Sequence, residues 1–141
     1  MIYLDSSALM KLVRREAETD ALGAWLAERP DEPVVTSELA RTEVVRAARR
    51  VGGRALAEAR AVTGDLDLVP LDRAVLDVAC EVGGEELRTL DALHLASALM
   101  LADELTDFVA YDRRLVDAAR AAGMPVSTPG RNGCAGGSSD D

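Results

Sequence analysis

A chain of 141 residues, 48% hydrophobic and 29% charged, has the length and composition of one soluble globular domain. Its formal net charge of -9 argues against a broad electrostatic nucleic-acid binder, but not against an enzyme whose carboxylates gather around divalent cations. Two cysteines without a CxxC and a single histidine argue against a zinc site or a disulfide framework, and no apolar run or leader pattern points to a membrane, so the expected setting is a reducing cytoplasm.

Ile2 to Leu4 is a short apolar, β-prone run, and Asp5 follows it directly. Ser6 or Ser7 then suits the N-cap of a helix carrying Leu9, Leu12 and Val13. A strand that runs straight into a helix fits a buried strand of a parallel α/β sheet, with Asp5 at its carboxyl end. There Asp5 is either a capping residue or the first ligand of an acidic site. Glu18 to Glu28 has Leu22, Trp25 and Leu26 at helical spacing, and Arg29-Pro30-Asp31-Glu32-Pro33 breaks it. Val34 to Thr36 reads as a strand. Ser37 caps a helix from Glu38 to about Val51, which Gly52-Gly53 ends. A helix over Arg54 to Val62, a strand within Leu66 to Leu71 and a helix over Asp72 to Val82 follow. Thr89 is placed to cap Leu90 to Leu101, which is apolar around nearly its whole circumference and therefore expected to be buried. Asp107 to Tyr111 is a strand, Asp112 follows, Arg113 to Ala122 is a helix, and Pro125 to Ser127 is a last edge strand. Alternating strands and helices predict a three-layer α/β domain over residues 1–127 with a mainly parallel sheet. Residues 128–141, rich in Gly, Ser and Asp, read as a disordered tail.

Four acids stand at informative places. Asp5 and Asp112 end strands, Glu43 lies in the helix after the second strand, and Asp91 lies in the first turn of the apolar helix. In a parallel sheet the strand ends and the following helix starts share one edge, where these positions can meet. Asp91 is the most informative, because a carboxylate among apolar neighbours needs a partner or a metal; near a helix start it also serves the dipole. Taken singly, Asp112 reads first as an N-cap rather than a ligand, and Glu43 first as a solvated helix residue within pairing distance of Arg46 or Arg50. Hard oxygen donors without histidine or cysteine partners suit Mg²⁺ or Mn²⁺. Phosphodiester hydrolysis is the reaction such a site best fits. His94, three residues after Asp91, reads first as a packing histidine hydrogen-bonded in the core. Ser6 and Ser7 read as capping residues or supports for Asp5. No Gly-rich phosphate loop and no GxSxG elbow are present.

Four blocks together resemble the PIN-domain ribonucleases, and among them the VapC-type toxins of bacterial type II toxin–antitoxin pairs. They are Leu4-Asp5-Ser6-Ser7-Ala8-Leu9, Glu43 in its helix, Arg88-Thr89-Leu90-Asp91-Ala92-Leu93-His94-Leu95-Ala96, and Tyr111-Asp112-Arg113-Arg114-Leu115. The resemblance runs to about residue 127 and implies a PIN-like fold and a Mg²⁺- or Mn²⁺-dependent endoribonuclease. Asp5, Asp91 and Asp112 are then the metal-facing carboxylates, Glu43 completes the catalytic acids, and Ser6 matches the small hydroxyl residue beside the first acid. The resemblance also implies a homodimer and a cognate antitoxin that masks the site. One departure is Ala110, where many members carry Thr or Ser. It supports an alternative reading, a PIN-fold module that binds RNA or protein without turnover. A receiver-like phosphoacceptor also clusters acids, but it needs a lysine late in the chain, and Lys11 is the only one. For RNA phosphates, Arg88 and Arg113 lie nearest the expected site. Arg46, Arg49 or Arg50, and Arg54 form either a basic stripe or a solvated face balanced by Glu38 and Glu58.

Overall fold

The computed structural model describes residues 1–131. Its strands are β1 (Ile2–Leu4), β2 (Val34–Ser37), β3 (Asp67–Val69), β4 (Asp107–Val109) and β5 (Val126–Ser127). Its helices are α1 (Ser6–Val13), α2 (Thr19–Ala27), α3 (Glu38–Val51), α4 (Gly53–Gly64), α5 (Arg73–Ala79), α6 (Thr89–Leu99) and α7 (Arg113–Ala121). The strands form one parallel sheet in the order β3-β2-β1-β4-β5, with Leu4 opposite Val109.

β1 is apolar at every position because both of its faces are covered, as the period-two alternation of strand side chains requires. Ile2 and Leu4 join one core with Leu9 of α1, Leu22 of α2, Val44 of α3 and Ala59 of α4. Tyr3 points the other way and packs with Phe108, Leu95 of α6 and Leu115 of α7. Val109 and Tyr111 share the first core, while Phe108 and Ala110 share the second. The result is three layers, helix on sheet on helix. Each fully buried leucine stabilises it by about 1.5–3 kcal/mol.

Several local expectations change. Of the residues the sequence offers as caps of α1, Asp5 takes the role rather than Ser6 or Ser7, because it is the last extended residue (φ -79°, ψ 178°) and its carboxylate reaches the Ala8 N–H. Both serines therefore sit inside the first turn with their hydroxyls free for other partners. Arg88, in extended conformation and without a side-chain cap bond, precedes α6, and Thr89 is its first helical residue. Leu90 is 49% exposed, so α6 is not buried all round. β3 is shorter than the apolar run 66–71 that predicts it, and α5 ends at Ala79 rather than Val82. Gly52, at φ 135°, lets α3 stop and α4 begin one residue later.

Packing continues past Ser127. The Tyr111 hydroxyl donates to the Pro129 carbonyl at 2.8 Å, and Arg131 donates to Glu18 at 3.2 Å. Residues 128–131 of the expected tail are thus held against the domain, and 132–141 lie outside the described residues. No helix among the described residues is long and apolar enough to cross a membrane.

Candidate active site

The sheet order reverses at the β1–β4 pair, and a cleft of about 330 Å³ opens beyond the carboxyl ends of those strands. Asp5, Ser6, Ser7, Glu43, Arg88, Asp91, His94 and Asp112 are among the residues lining it.

Asp5 is 3% exposed and uses a single oxygen to hold itself in place. Oδ1 accepts from the Ser7 hydroxyl at 2.6 Å and from the Ala8 N–H at 2.9 Å. The Ser7 oxygen accepts in turn from the Tyr111 N–H at 2.9 Å, which stitches the end of β1 to the segment after β4. Among the described residues no buried side-chain polar atom is left unpaired, so the second Asp5 oxygen reaches the cleft. Burial pushes the Asp5 carboxyl above its ordinary value, and the His94 imidazole and the two hydrogen bonds oppose this.

Glu43 does not pair with Arg46 or Arg50. Its Oε1 accepts from the Ser6 hydroxyl at 2.7 Å and lies 2.7 Å from His94 Nε2. Burial acts to raise the Glu43 carboxyl, but the hydrogen bonds from His94 and Ser6 outweigh it, and the net shift is downward. The other His94 nitrogen, Nδ1, lies 2.8 Å from the Tyr3 hydroxyl.

Asp112 caps α7, with Oδ1 accepting from the Leu115 N–H at 3.1 Å. Its Oδ2 lies 4.0 Å from the Arg88 guanidinium, which also comes within 3.9 Å of Asp91 Oδ2. One cation thus spans the two carboxylates. Burial and the charge of Asp112 raise the Asp91 carboxyl, with Arg88 opposing them. Asp112 is thus the N-cap that one sequence reading expects, and its other oxygen, Oδ2, lies on the cleft side near Arg88.

The structure therefore brings Asp5, Ser6, Glu43, Asp91, Asp112 and Arg88 together. It does not bring Arg113, whose side chain is 92% exposed and lies 3.9 Å from Asp117. Ala110 is fully buried in the apolar cluster around Tyr3 and Phe108. The basic stripe also differs from expectation. Arg41, Arg46 and Arg60 line a cleft of about 620 Å³ between α3 and α4, and Arg46, Arg49 and Arg50 line another, whereas Arg54 faces away beside Val13 and Arg15.

The PIN domain family profile matches residues 2–121. Ribonuclease VapC46 of Mycobacterium tuberculosis is 48% identical over 135 residues, 91% of this chain and 97% of that protein. The chain belongs to the VapC-type PIN-domain ribonuclease family. Ribonuclease VapC47 of the same species is 42% identical, over 92% of this chain and 98% of its own length. Among solved structures, M. tuberculosis VapC20, described as a sarcin-ricin loop cleaving toxin, superposes with a TM-score of 0.72 at 22% identity, covering 92% of this chain and all of that one. FitAcB of Neisseria gonorrhoeae gives 0.68 at 19% identity, covering 92% and 98%. These two likenesses support the PIN fold alone.

Within the VapC-type cleft the donors are carboxylate oxygens, the set a hard divalent cation takes. As placed, no three acid or histidine side chains among the described residues converge closely enough to form a closed metal cage. An open acidic cleft still fits Mg²⁺, which keeps several of its waters and binds directly through only one or two carboxylates. The Arg88 guanidinium between Asp91 and Asp112 shows that this edge of the cleft accommodates positive charge. What sequence reasoning missed is the Tyr3–His94–Glu43 contact. Its only signal was a lone histidine one helical turn from Asp91, facing the same side.

Proposed function

We propose that this chain is a Mg²⁺- or Mn²⁺-dependent endoribonuclease that acts in the cytoplasm as the toxin of a toxin–antitoxin pair. The observation that carries the reading is the division of labour within the carboxylates. Asp5, Glu43 and Asp112 each spend one oxygen on the protein's own donors, so each is fixed with its other oxygen available. Asp5, Asp91 and Asp112 hold the cation, and Glu43 completes the acidic set. When bound, the ion lowers the pKa of a water and neutralises charge on the phosphodiester.

Arg88, at the mouth of the cleft beside Asp91 and Asp112, is the guanidinium placed to contact the RNA phosphate. The α3–α4 arginines extend the phosphate path, since none of Arg41, Arg46, Arg49, Arg50 and Arg60 forms an ion pair among the described residues. The acidic cleft favours an antitoxin segment that carries basic residues. The active assembly is a homodimer, which sedimentation of the purified chain checks. The non-cutting alternative draws no support from Ala110, whose side chain lies in an apolar core and not in the cleft.

The test is cleavage of a defined RNA panel by the antitoxin-free chain with Mg²⁺, with Mn²⁺ and with EDTA. Metal-dependent cutting that falls in Asp5→Asn and Asp91→Asn by more than ~10²-fold, the upper end for outer-sphere partners, is the expected result. Cutting in EDTA, or full activity in Asp91→Asn, overturns it.

A further inference from the structure

The cleft has a buried side that the acids alone do not explain. His94 is 2% exposed and is the single histidine of the chain, and both of its ring nitrogens are engaged. Nε2 lies 2.7 Å from Glu43 Oε1 and 3.0 Å from the Ser6 hydroxyl, and Nδ1 lies 2.8 Å from the Tyr3 hydroxyl. Tyr3 is itself immobilised, fully buried in β1 and stacked on Phe108 with ring centroids 5.3 Å apart and planes at 7°. The line Tyr3–His94–Glu43 therefore runs from the centre of the sheet, through α6, to the cleft face of α3.

The proton inventory along this line is fixed by its ends. An ionised Glu43 only accepts, so the ring must present a hydrogen on Nε2. A hydroxyl both donates and accepts, so Tyr3 satisfies Nδ1 whether or not that nitrogen carries a proton. Burial and the nearby Asp5 charge push the Tyr3 phenol upward, so it keeps its proton. Ser6 donates to the same Glu43 oxygen as His94 does. Two donors converge on Oε1, and Oε2 is left for the cleft.

We infer that His94, with its ring set by Tyr3, is a positioning residue that clamps Oε1 of Glu43 and thereby aims Oε2 into the acidic cleft. A surface glutamate on a helix samples many rotamers, and clamping it removes that freedom before RNA or metal arrives. The inference rests on the nuclease reading for its consequence, but not for its geometry.

Two measurements separate the two. The first is ¹⁵N–¹H NMR of the lone imidazole in the untagged, metal-free chain. The expected result is a protonated, slowly exchanging Nε2 whose resonance moves in Glu43→Gln and in Tyr3→Phe. An unprotonated Nε2, or a ring indifferent to both variants, overturns the inference whatever the enzyme does. The second is steady-state cleavage. His94→Ala is expected to lower kcat by roughly 10–100-fold with KM little changed, as loss of an orienting partner does. His94→Gln, whose amide N–H can replace Nε2–H, recovers most of that loss, and Tyr3→Phe gives a smaller fall in kcat. Equal activities for His94→Ala and His94→Gln in folded protein overturn the positioning role. If the wild type cuts no RNA while the NMR result is as expected, the nuclease reading fails and the clamp stands.

Discussion

At the scale of the residue, the cleft sets stability against chemistry, and the two can be told apart by the sign of their effect. Burial and Asp112 hold the Asp91 carboxyl above its ordinary value. A carboxyl raised on folding contributes stability that is complete below its unfolded value and is lost as pH rises through its folded value. At neutral pH the charged Asp91 therefore works against the metal-free fold. Asp91→Asn should raise the Tm of the metal-free chain at pH 7, leave it nearly unchanged near pH 3, and abolish cleavage; paired thermal melts check the first two. Ser7→Ala should behave oppositely on stability. It takes away the acceptor for the Tyr111 N–H and a donor to Asp5, at a cost of about 1–3 kcal/mol for the stranded group. A urea titration reads that loss directly, and cleavage should fall with it because Asp5 loses a support.

At the scale of the element, α3 shows why a periodic sequence yields three faces. Ala40, Val44 and Ala48 turn into the core, Glu43 turns toward α6, and the arginines turn outward. If the outward face carries the RNA phosphates, Arg46→Gln with Arg60→Gln should weaken RNA binding across sequences and reduce the salt slope of log K by about 1 per lost contact. Unchanged binding and slope would leave those arginines as a solvated face only. The same helix marks the limit of sequence reading. Its core stripe and its Ser37 cap are local patterns, so both are legible, as are the buried strand β1 and the Asp5, Asp91 and Asp112 positions at one sheet edge. The partner of Glu43 was not legible. Arg46 and Arg50 stand at helical spacing, whereas His94 is 51 residues away and meets Glu43 only because α6 crosses α3 beneath the cleft. The cap of α6 lies one residue before Thr89, because the backbone stays extended through Arg88. For α1 the sequence offers Asp5, Ser6 and Ser7, all favoured N-cap residues, and only the backbone, extended through Asp5, decides between them.

At the scale of the whole molecule, the chain closes on itself behind the site. Lys11 of α1 is buried and reaches Glu16 and Glu18 at 2.8 Å each, with the Tyr111 ring 4.6 Å from its ammonium. Arg131 completes the group, donating to Glu18 and to the Tyr111 carbonyl. Gly130 permits this approach. Its φ of 85° is a left-handed conformation, and a Cβ there would lie 2.8 Å from that of Ala21. The segment after β5 thus ties the start of α2 to Tyr111, the residue between Ser7's hydrogen bond and Asp112. Arg131→Ala should cost about 1 kcal/mol, the net worth of a part-exposed hydrogen bond. Gly130→Ala should destabilise at least as much without removing any functional group, because the strain and the clash act together. Both variants should lose cleavage in proportion to the loosening of Tyr111, with RNA binding unchanged, since neither residue lies on the arginine face. Chemical unfolding and single-turnover cleavage of the two variants check this. Wild-type stability in Gly130→Ala would show that the segment rests on the domain without restraining it.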